Sequence, residues 1–331
     1  MVLLVAIIVL GLAFDYTNGF HDTANAIATS VSTRALSPRM AVLMAAGFNL
    51  LGALISTNVA TTVGKGIVQT NLVTPELVLA AVAGAIVWNL VTWRLGLPSS
   101  SSHALFGGLI GTMIAAVGVS GVEWKGVFDK IILPMIGSPV LGFLGAWVLM
   151  TGLTWLVRRR PQGPVNRWFR ILQPFSAGFM AFSHGSNDAQ KTMGIITLAL
   201  VASGQITTFA IPLWVKVACA IAMALGTYSG GWRIIHTLGS KVIKLDPIHG
   251  FAAETSAASV IQLATHFGFP VSTTHTITAA IMGVGSTQRL SAVRWGVAGN
   301  IVTAWLLTLP AAGLVGAGIY LAGEAIHAVL T

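Results

Sequence analysis

Two aspartates, Asp22 and Asp188, stand inside long apolar runs, each within a short polar motif: NGFHDTAN from Asn18 to Asn25 and HGSNDAQK from His184 to Lys191. The motifs align Gly19 with Gly185 and Asp22 with Asp188, 166 positions apart. A carboxylate at the centre of a membrane helix costs about 2.5 to 3.5 kcal/mol on insertion scales, so it needs a partner or a purpose. One purpose is helix packing through a hydrogen bond. The other is cation coupling: with Thr23, Asn25, Ser186 and Asn187 beside them, the aspartates offer hard oxygen ligands for a sodium ion, or a site for a proton. Asp22 and Asp188 are also the candidate metal ligands, because magnesium keeps several of its waters and is held through one or two carboxylates. Lys191 replaces Asn25 in the second motif, and its ammonium has two readings, neutralising Asp188, which is preferred, or meeting the substrate.

A second pair of motifs follows in the same order. GLPSSSSH (Gly96 to His103) matches GFPVSTTH (Gly268 to His275), sharing glycine, proline, a hydroxyl run and histidine 172 positions apart. Gly and Pro interrupt an apolar run just before residues that start helices, which predicts a half-helix opening inside the membrane. Such an end presents unpaired N–H groups and the positive pole of the helix dipole to an anion. Ser100, Ser101, Ser102, Ser272, Thr273 and Thr274 add hydroxyl donors, while His103 and His275 add groups that donate to an anion or respond to pH. A single cluster of this kind would only bond to its own backbone. Two matched clusters facing each other predict a site for one tetrahedral oxyanion.

The elements that must position these residues are membrane helices. Hydrophobic residues make up 55% of the 331 positions and charged residues 8%, against about 25% charged in a soluble domain. A water-soluble globule is excluded. The net charge of +9 does not mark a nucleic-acid binder, because the basic residues form no patch with interleaved aromatics and sit at the ends of apolar segments. Cys219, the single cysteine, cannot form an internal disulfide and reads as a small core residue. No H-E-x-x-H or Walker A sequence occurs, which argues against a membrane enzyme or an ATP-driven pump.

Ten apolar segments are expected at about 2–31, 39–57, 76–95, 101–119, 131–157, 172–202, 210–229, 249–267, 271–286 and 295–323. Segments 1, 4, 6 and 9 hold the polar motifs and are the candidates for re-entrant hairpins. If all ten cross, thirteen Lys and Arg fall in the loops after odd segments and three (Lys65, Lys125, Lys130) in the others. The positive-inside rule then puts the odd loops in the cytoplasm and both termini outside. The expected organisation is all-α: a first transmembrane repeat at 1–157, a basic cytoplasmic linker at 158–170 and a second repeat at 171–331. An odd number of crossings in each half makes the repeats inverted. Glu254 is a further buried candidate, whereas Glu76, Glu123 and Asp129 lie at segment ends and are expected to be solvated.

At NGFHDTANAIATS (Asn18 to Ser30), FSHGSNDAQKTMG (Phe182 to Gly194) and GFPVSTTH the chain resembles the inorganic phosphate transporter family, and the likeness extends over nearly its whole length. The resemblance implies Asp22, Asn25 and Asp188 near coupling ions, and Ser100 to Ser102 and Ser272 to Thr274 near phosphate. Many sodium-coupled members carry Asn in a second GANDVANA-type motif and a glutamate in the following helix, where this chain has Lys191 and Asn49. Both departures resemble the bacterial low-affinity branch, whose likeness implies proton-coupled carriage of neutral metal phosphate. The function expected is thus symport of inorganic phosphate across the inner (plasma) membrane with H+, and with Mg2+ carried alongside. The alternatives are Na+ coupling, sulfate as the substrate, or an anion channel. No cofactor is expected; the partners are phosphate and membrane lipids, with a homodimer as a possible assembly.

Overall fold

The computed structural model describes residues 1–330, with side chains through Val329. The first half forms α1 (Val2–Ser32), α2 (Pro38–Ala53), α3 (Asn58–Lys65), α4 (Pro75–Leu95), α5 (Ser101–Val117) and α6 (Trp124–Val157). The second forms α7 (Gln162–Ala202), α8 (Leu213–Ser229), α9 (Trp232–Lys241), α10 (Pro247–His266), α11 (Thr273–Gln288) and α12 (Trp295–Leu330). Local chemistry sets several boundaries. Ser37 and Thr74 cap α2 and α4 with proline at the first helical position. Asp246 and His249 form a reciprocal cap on α10. Gly96 ends α4 in the left-handed region, φ +66°, and Gly268 does the same after α10, φ +74°.

The halves repeat element by element. In each, a crossing breaks in the same place: α2 and α3 bend by 70°, α8 and α9 by 60°. Single helical turns at Val119–Gly121 and Leu290–Ala292 precede α6 and α12, and each is closed by the following tryptophan indole, Trp124 to Val119 O (2.9 Å) and Trp295 to Leu290 O (2.8 Å). Glu123 N donates to Ile67 O as Arg294 N donates to Val242 O.

The long helices α1 and α7 run antiparallel. At one end Gly11 faces Ile196, at the other Thr33 donates to Gln173 Oε1 (2.6 Å), and Asp22 and Asp188 lie between. Equivalent helices of opposite direction make the repeats inverted. The repeats are also interlaced: α1 packs on α8 and α2 on α7, while α5 packs on α12 and α11 on α6. Each of the two hydrophobic cores therefore mixes residues of both halves. Backbones meet at reciprocal glycine crossings. A Cβ on Gly185 would lie 2.2 Å from Asn49 O and one on Gly52 2.1 Å from Phe182 O; the equivalent pair is Gly19 against Met223 O (2.4 Å) and Gly226 against Tyr16 O (2.1 Å). Small residues let membrane helices approach this closely.

All ten expected segments fall on helices, but the breaks do not all lie where the polar motifs suggested. Segments 1 and 6 are the unbroken helices α1 and α7, because the aspartate motifs satisfy their backbone within the helix and need no hairpin. The interrupted crossings are segments 2 and 7. Segments 4 and 9 do begin as half-helices: α5 and α11 have 17 and 16 residues, about 25 Å at 1.5 Å per residue, short of a core about 30 Å thick. Much of the 158–170 stretch belongs to α7, which starts at Gln162. Taken singly, α1, α4, α6 and α12 are long and apolar enough to cross, and the two bent pairs make six. Glu76 and Glu123 are exposed and Asp129 pairs with exposed Lys125 (2.6 Å).

The glycine crossings predict that Gly185→Ala or Gly19→Ala forces helices apart and destabilises by about 1–3 kcal/mol. Gly137→Ala, with nothing within 4 Å of the added Cβ, stays within about 0.5 kcal/mol. Thermal midpoints of the purified protein in detergent check this, and equal shifts at all three positions would refute it.

Candidate functional site

The half-helices α5 and α11 begin with the hydroxyl clusters. Ser100 Oγ accepts from His103 N and Ser272 Oγ from His275 N, both at 3.2 Å, so these two hydroxyls cap their own helices. Their part is to fix the helix start. Ser101, Ser102, Thr273 and Thr274 then fill the first turns, all buried, where N–H groups lack intrahelical partners. The two starts meet: the rings of His103 and His275 are 4.8 Å apart, and His275 stacks on Trp305 at 4.0 Å.

Each half-helix start is held by the long helix of the other repeat. Asn25 Nδ2 on α1 donates to Thr274 Oγ1 (2.9 Å) and Thr273 Oγ1 (3.2 Å) on α11. Lys191 Nζ on α7 donates to Ser102 Oγ (2.5 Å) on α5, to Val271 O (2.7 Å) and to Asp188 Oδ1. Asn25 and Lys191 are repeat equivalents, as are Thr274 and Ser102. The same contact is thus made twice, once by an amide and once by an ammonium. Thr273 donates to Asp188 Oδ2 (3.0 Å) and Thr274 to Asp22 Oδ1 (3.4 Å), which closes the network around both carboxylates.

Two histidines complete it. His21 Nδ1 lies 2.7 Å from Asp22 Oδ1, with Thr92 Oγ1 at its other nitrogen (3.1 Å). His184 sits between the aspartates, its Nε2 3.2 Å from Asp188 Oδ2 and 3.9 Å from Asp22 Oδ2, close enough for ion pairs but outside hydrogen-bond geometry. Behind it, Asn49 donates through Nδ2 to Thr227 Oγ1 (2.8 Å) and turns Oδ1 to His184 Nδ1 (3.0 Å). In that amide orientation Nδ1 is the donor. His184 Nε2 then faces two carboxylates, an arrangement that needs a proton on the nitrogen or a cation shared among the three. Ligand atoms of Asp22, His184 and Asp188 all lie within 4.8 Å of one another. Buried polar atoms without partners gather nearby: Asn25 Oδ1, Ser101 Oγ, His103 Nδ1 and both ring nitrogens of His275.

Asp22, Asn25, Asp188, Lys191, Ser102, Thr273 and Thr274 share one network, with Ser101, His103 and His275 at its edge. Thr23 and Asn187 are turned elsewhere. Thr23 Oγ1 donates to Gly19 O (2.6 Å) and Thr227 O (3.2 Å), facing α8. Asn187 Nδ2 ties down Thr265 Oγ1 (2.8 Å) and Phe269 O (3.1 Å). Both flank an aspartate in sequence, and adjacent residues on a helix point about 100° apart. Glu254 is buried in a separate cluster, accepting from Thr29, Ser176 and Gln173. Sequence reasoning passed over His21 and His184, although both stand in the quoted motifs, and over Asp15, which receives Thr192 Oγ1 (2.5 Å). Asp15 lies seven residues before Asp22, on the same helix face, and that spacing was its signal.

Comparison with known proteins agrees with this architecture. The Phosphate transporter family matches twice, at residues 18–166 and 157–316. Relatives described as probable low-affinity inorganic phosphate transporters include one from Mycobacterium bovis, 54% identical over 96% of this chain and 77% of its own length. Another from Rhizobium meliloti is 51% identical over 97% of both chains, and one from Bacillus subtilis is 45% identical over 97% of both. A solved structure, "The sodium-dependent phosphate transporter", superposes with a TM-score of 0.90 at 27% identity, covering 98% of this chain and all of that one.

The Lys191–Asp188 pair generates a prediction. Removing one member of a buried pair leaves an uncompensated charge and costs about 3–5 kcal/mol. Lys191→Gln is therefore expected to lower the unfolding midpoint sharply, and adding Asp188→Asn to restore most of the loss. A double variant no more stable than Lys191→Gln alone would show that the two charges do not depend on each other.

Proposed function

The chain belongs to the phosphate transporter family, and from that premise we propose that it is a secondary transporter that carries inorganic phosphate across the cytoplasmic membrane by symport. The observation carrying this reading is the network that ties both half-helix starts to both buried carboxylates, each start held by the opposite repeat. Phosphate is taken to lie where the first-turn N–H groups of α5 and α11, Ser101 to Ser102 and Thr273 to Thr274, converge with the unpartnered atoms of Asn25, His103 and His275. The coupling cation belongs among Asp22, His184 and Asp188. One network then senses both ligands, because any shift of Thr273 or Thr274 toward an anion alters what the two aspartates accept.

Charge explains why coupling is required. Lys191 offsets one of the two aspartates, and an entering phosphate dianion adds two negative charges in a dry environment, a cost that demands neutralisation. Protons suit the site better than sodium here. Lys191 occupies part of Asp188's oxygen surface with a tethered cation, and the remaining neighbours of the carboxylates include histidine nitrogens as well as hydroxyls, not a closed cage of oxygens. A divalent cation carried with phosphate would meet Asp22 and Asp188 with His184 between them. That mixed donor set suits borderline divalent ions as well as magnesium, which asks for oxygen. Sodium coupling is the second reading, favoured by the likeness in fold to a sodium-dependent phosphate transporter. Sulfate as substrate is separated by competition against phosphate uptake.

In proteoliposomes at fixed pH, replacing sodium by choline is expected to leave initial phosphate uptake within about twofold, whereas collapsing the proton gradient lowers it at least about tenfold, equivalent to 1.4 kcal/mol. Magnesium chelation is expected to reduce uptake, and Asp22→Asn or Asp188→Asn to abolish accumulation while the protein still inserts. Loss of uptake in choline would overturn proton coupling; wild-type accumulation by either variant would make the carboxylates structural.

A further inference from the structure

Among the cavities outside the central network are two open clefts, of about 370 Å³ and 470 Å³, that the mechanism above does not use. They occupy equivalent places in the two repeats. The first is bounded by α3 and by the end of α10 at His266 to Gly268, the second by α9 and by the end of α4 at Arg94 to Gly96. Basic residues recur at matching positions: Lys65 and Lys241 each close their short helix, and His266 and Arg94 each stand two residues before the left-handed glycine. Lys130 joins the first set, Arg233 and His236 the second. Among the described residues no carboxylate lines either cavity. Because the two sets differ in residue type while the placement and the sign of charge agree, the shared property is positive potential.

Each cavity has a device that holds its charge at the mouth. Lys130 Nζ is nested against Gly66, where a Cβ would come within 2.2 Å of it. Arg233 Nη1 donates to Arg94 O (2.7 Å) while its guanidinium lies over the Trp93 ring at 5.5 Å, which leaves other N–H groups free. Each cavity also borders the segment that leads into a half-helix start. Gly268 precedes the α11 cap Ser272 by four residues, and Gly96 precedes the α5 cap Ser100 by the same number, at most about 14 Å of extended chain. The cavities open at opposite ends of the molecule, since α3 packs against the C-terminal half of α7 and α9 against the C-terminal half of α1, and those two helices are antiparallel.

We propose that these cavities are paired anion vestibules, each holding a phosphate group by Lys, Arg and His contacts one step before the central site, one serving each face of the membrane. This rests on the phosphate-transport reading above. A cleft lined by one sign of charge raises the local concentration of its counter-ion and speeds capture. The lysine and arginine distribution assigns the Lys65 and Lys130 vestibule to the outer face and the Arg233 and Lys241 vestibule to the cytoplasm.

The test is a split of KM from Vmax by direction, using inorganic phosphate and the full-length protein in oriented vesicles of zwitterionic lipid. Lys65→Gln with Lys130→Gln is expected to raise the KM for inward transport at least about threefold, to leave Vmax within about twofold and to flatten the dependence of KM on salt, which screens such fields over about 10 Å at 0.1 M. Arg233→Gln with Lys241→Gln is expected to do the same to outward transport. Unchanged KM and salt slope in both pairs overturn the proposal, as does a KM effect of both pairs in the same direction. Repeating the measurement with anionic lipid separates the two sources of phosphate: a KM effect that appears only with anionic lipid assigns the cavities to lipid headgroups and overturns them as stations for substrate. Retained Vmax shows that the variants fold. Absence of saturable phosphate uptake by the unmodified protein would instead refute the transport reading.

Discussion

Two carboxylates buried side by side in a membrane protein are the constraint from which the rest of this structure follows. Asp22 and Asp188 are each at most 2% exposed, and no bulk water is at hand to screen them. They are tolerated because opposing charge and hydrogen bonds reach them from three elements: Lys191 and His184 from α7, His21 from α1, and Thr273 and Thr274 from α11, with Asn49 of α2 steadying His184. Removing any one of these helices leaves a carboxylate short of partners. The same shortage stays open at His184 Nε2 and at the unpartnered atoms beside the half-helices.

That constraint accounts for the interlacing of the repeats. If each half folded on itself, the two charges would stay apart. Instead Asn25 of the first half caps the second half's hydroxyls, and Lys191 of the second holds Ser102 of the first. The glycine crossings between α1 and α8 and between α2 and α7 bring the two halves close enough for these contacts. The carboxylate network lies among α1, α7 and α11, with Asn49 of α2 behind His184.

The asymmetry within the pseudo-twofold frame is as informative as the symmetry. Asn25 and Lys191 occupy equivalent positions and make equivalent contacts, but one is neutral and the other charged. An amide can yield its hydrogen bonds to a ligand with little electrostatic cost, whereas moving the ammonium away from Asp188 separates charges. The first repeat's half of the site is thereby the softer one. Asp15, which accepts from Thr192 through Oδ1 alone, and Glu254, which accepts from Thr29, Ser176 and Gln173, extend the line of buried carboxylates along α1 on either side of the centre.

The sequence by itself determined what local and periodic chemistry can encode. Hydropathy marked the helices, the recurrence of two motif pairs at offsets of 166 and 172 exposed the repeat, and the Gly-Pro-hydroxyl pattern marked the half-helix starts, because each of these depends on residues near one another in the chain. Which hydroxyl faces the site and which caps its own helix was not legible: Ser100 and Ser102 have the same chemistry and differ only in rotation about the helix axis. Thr23 and Asn187 failed for the same reason. The breaks at α2–α3 and α8–α9, the crossing of α1 with α7 and the placing of His184 between two aspartates were decided only by tertiary packing. They depend on contacts between residues more than 100 positions apart, and no pattern along a single segment carries the angle at which two helices meet.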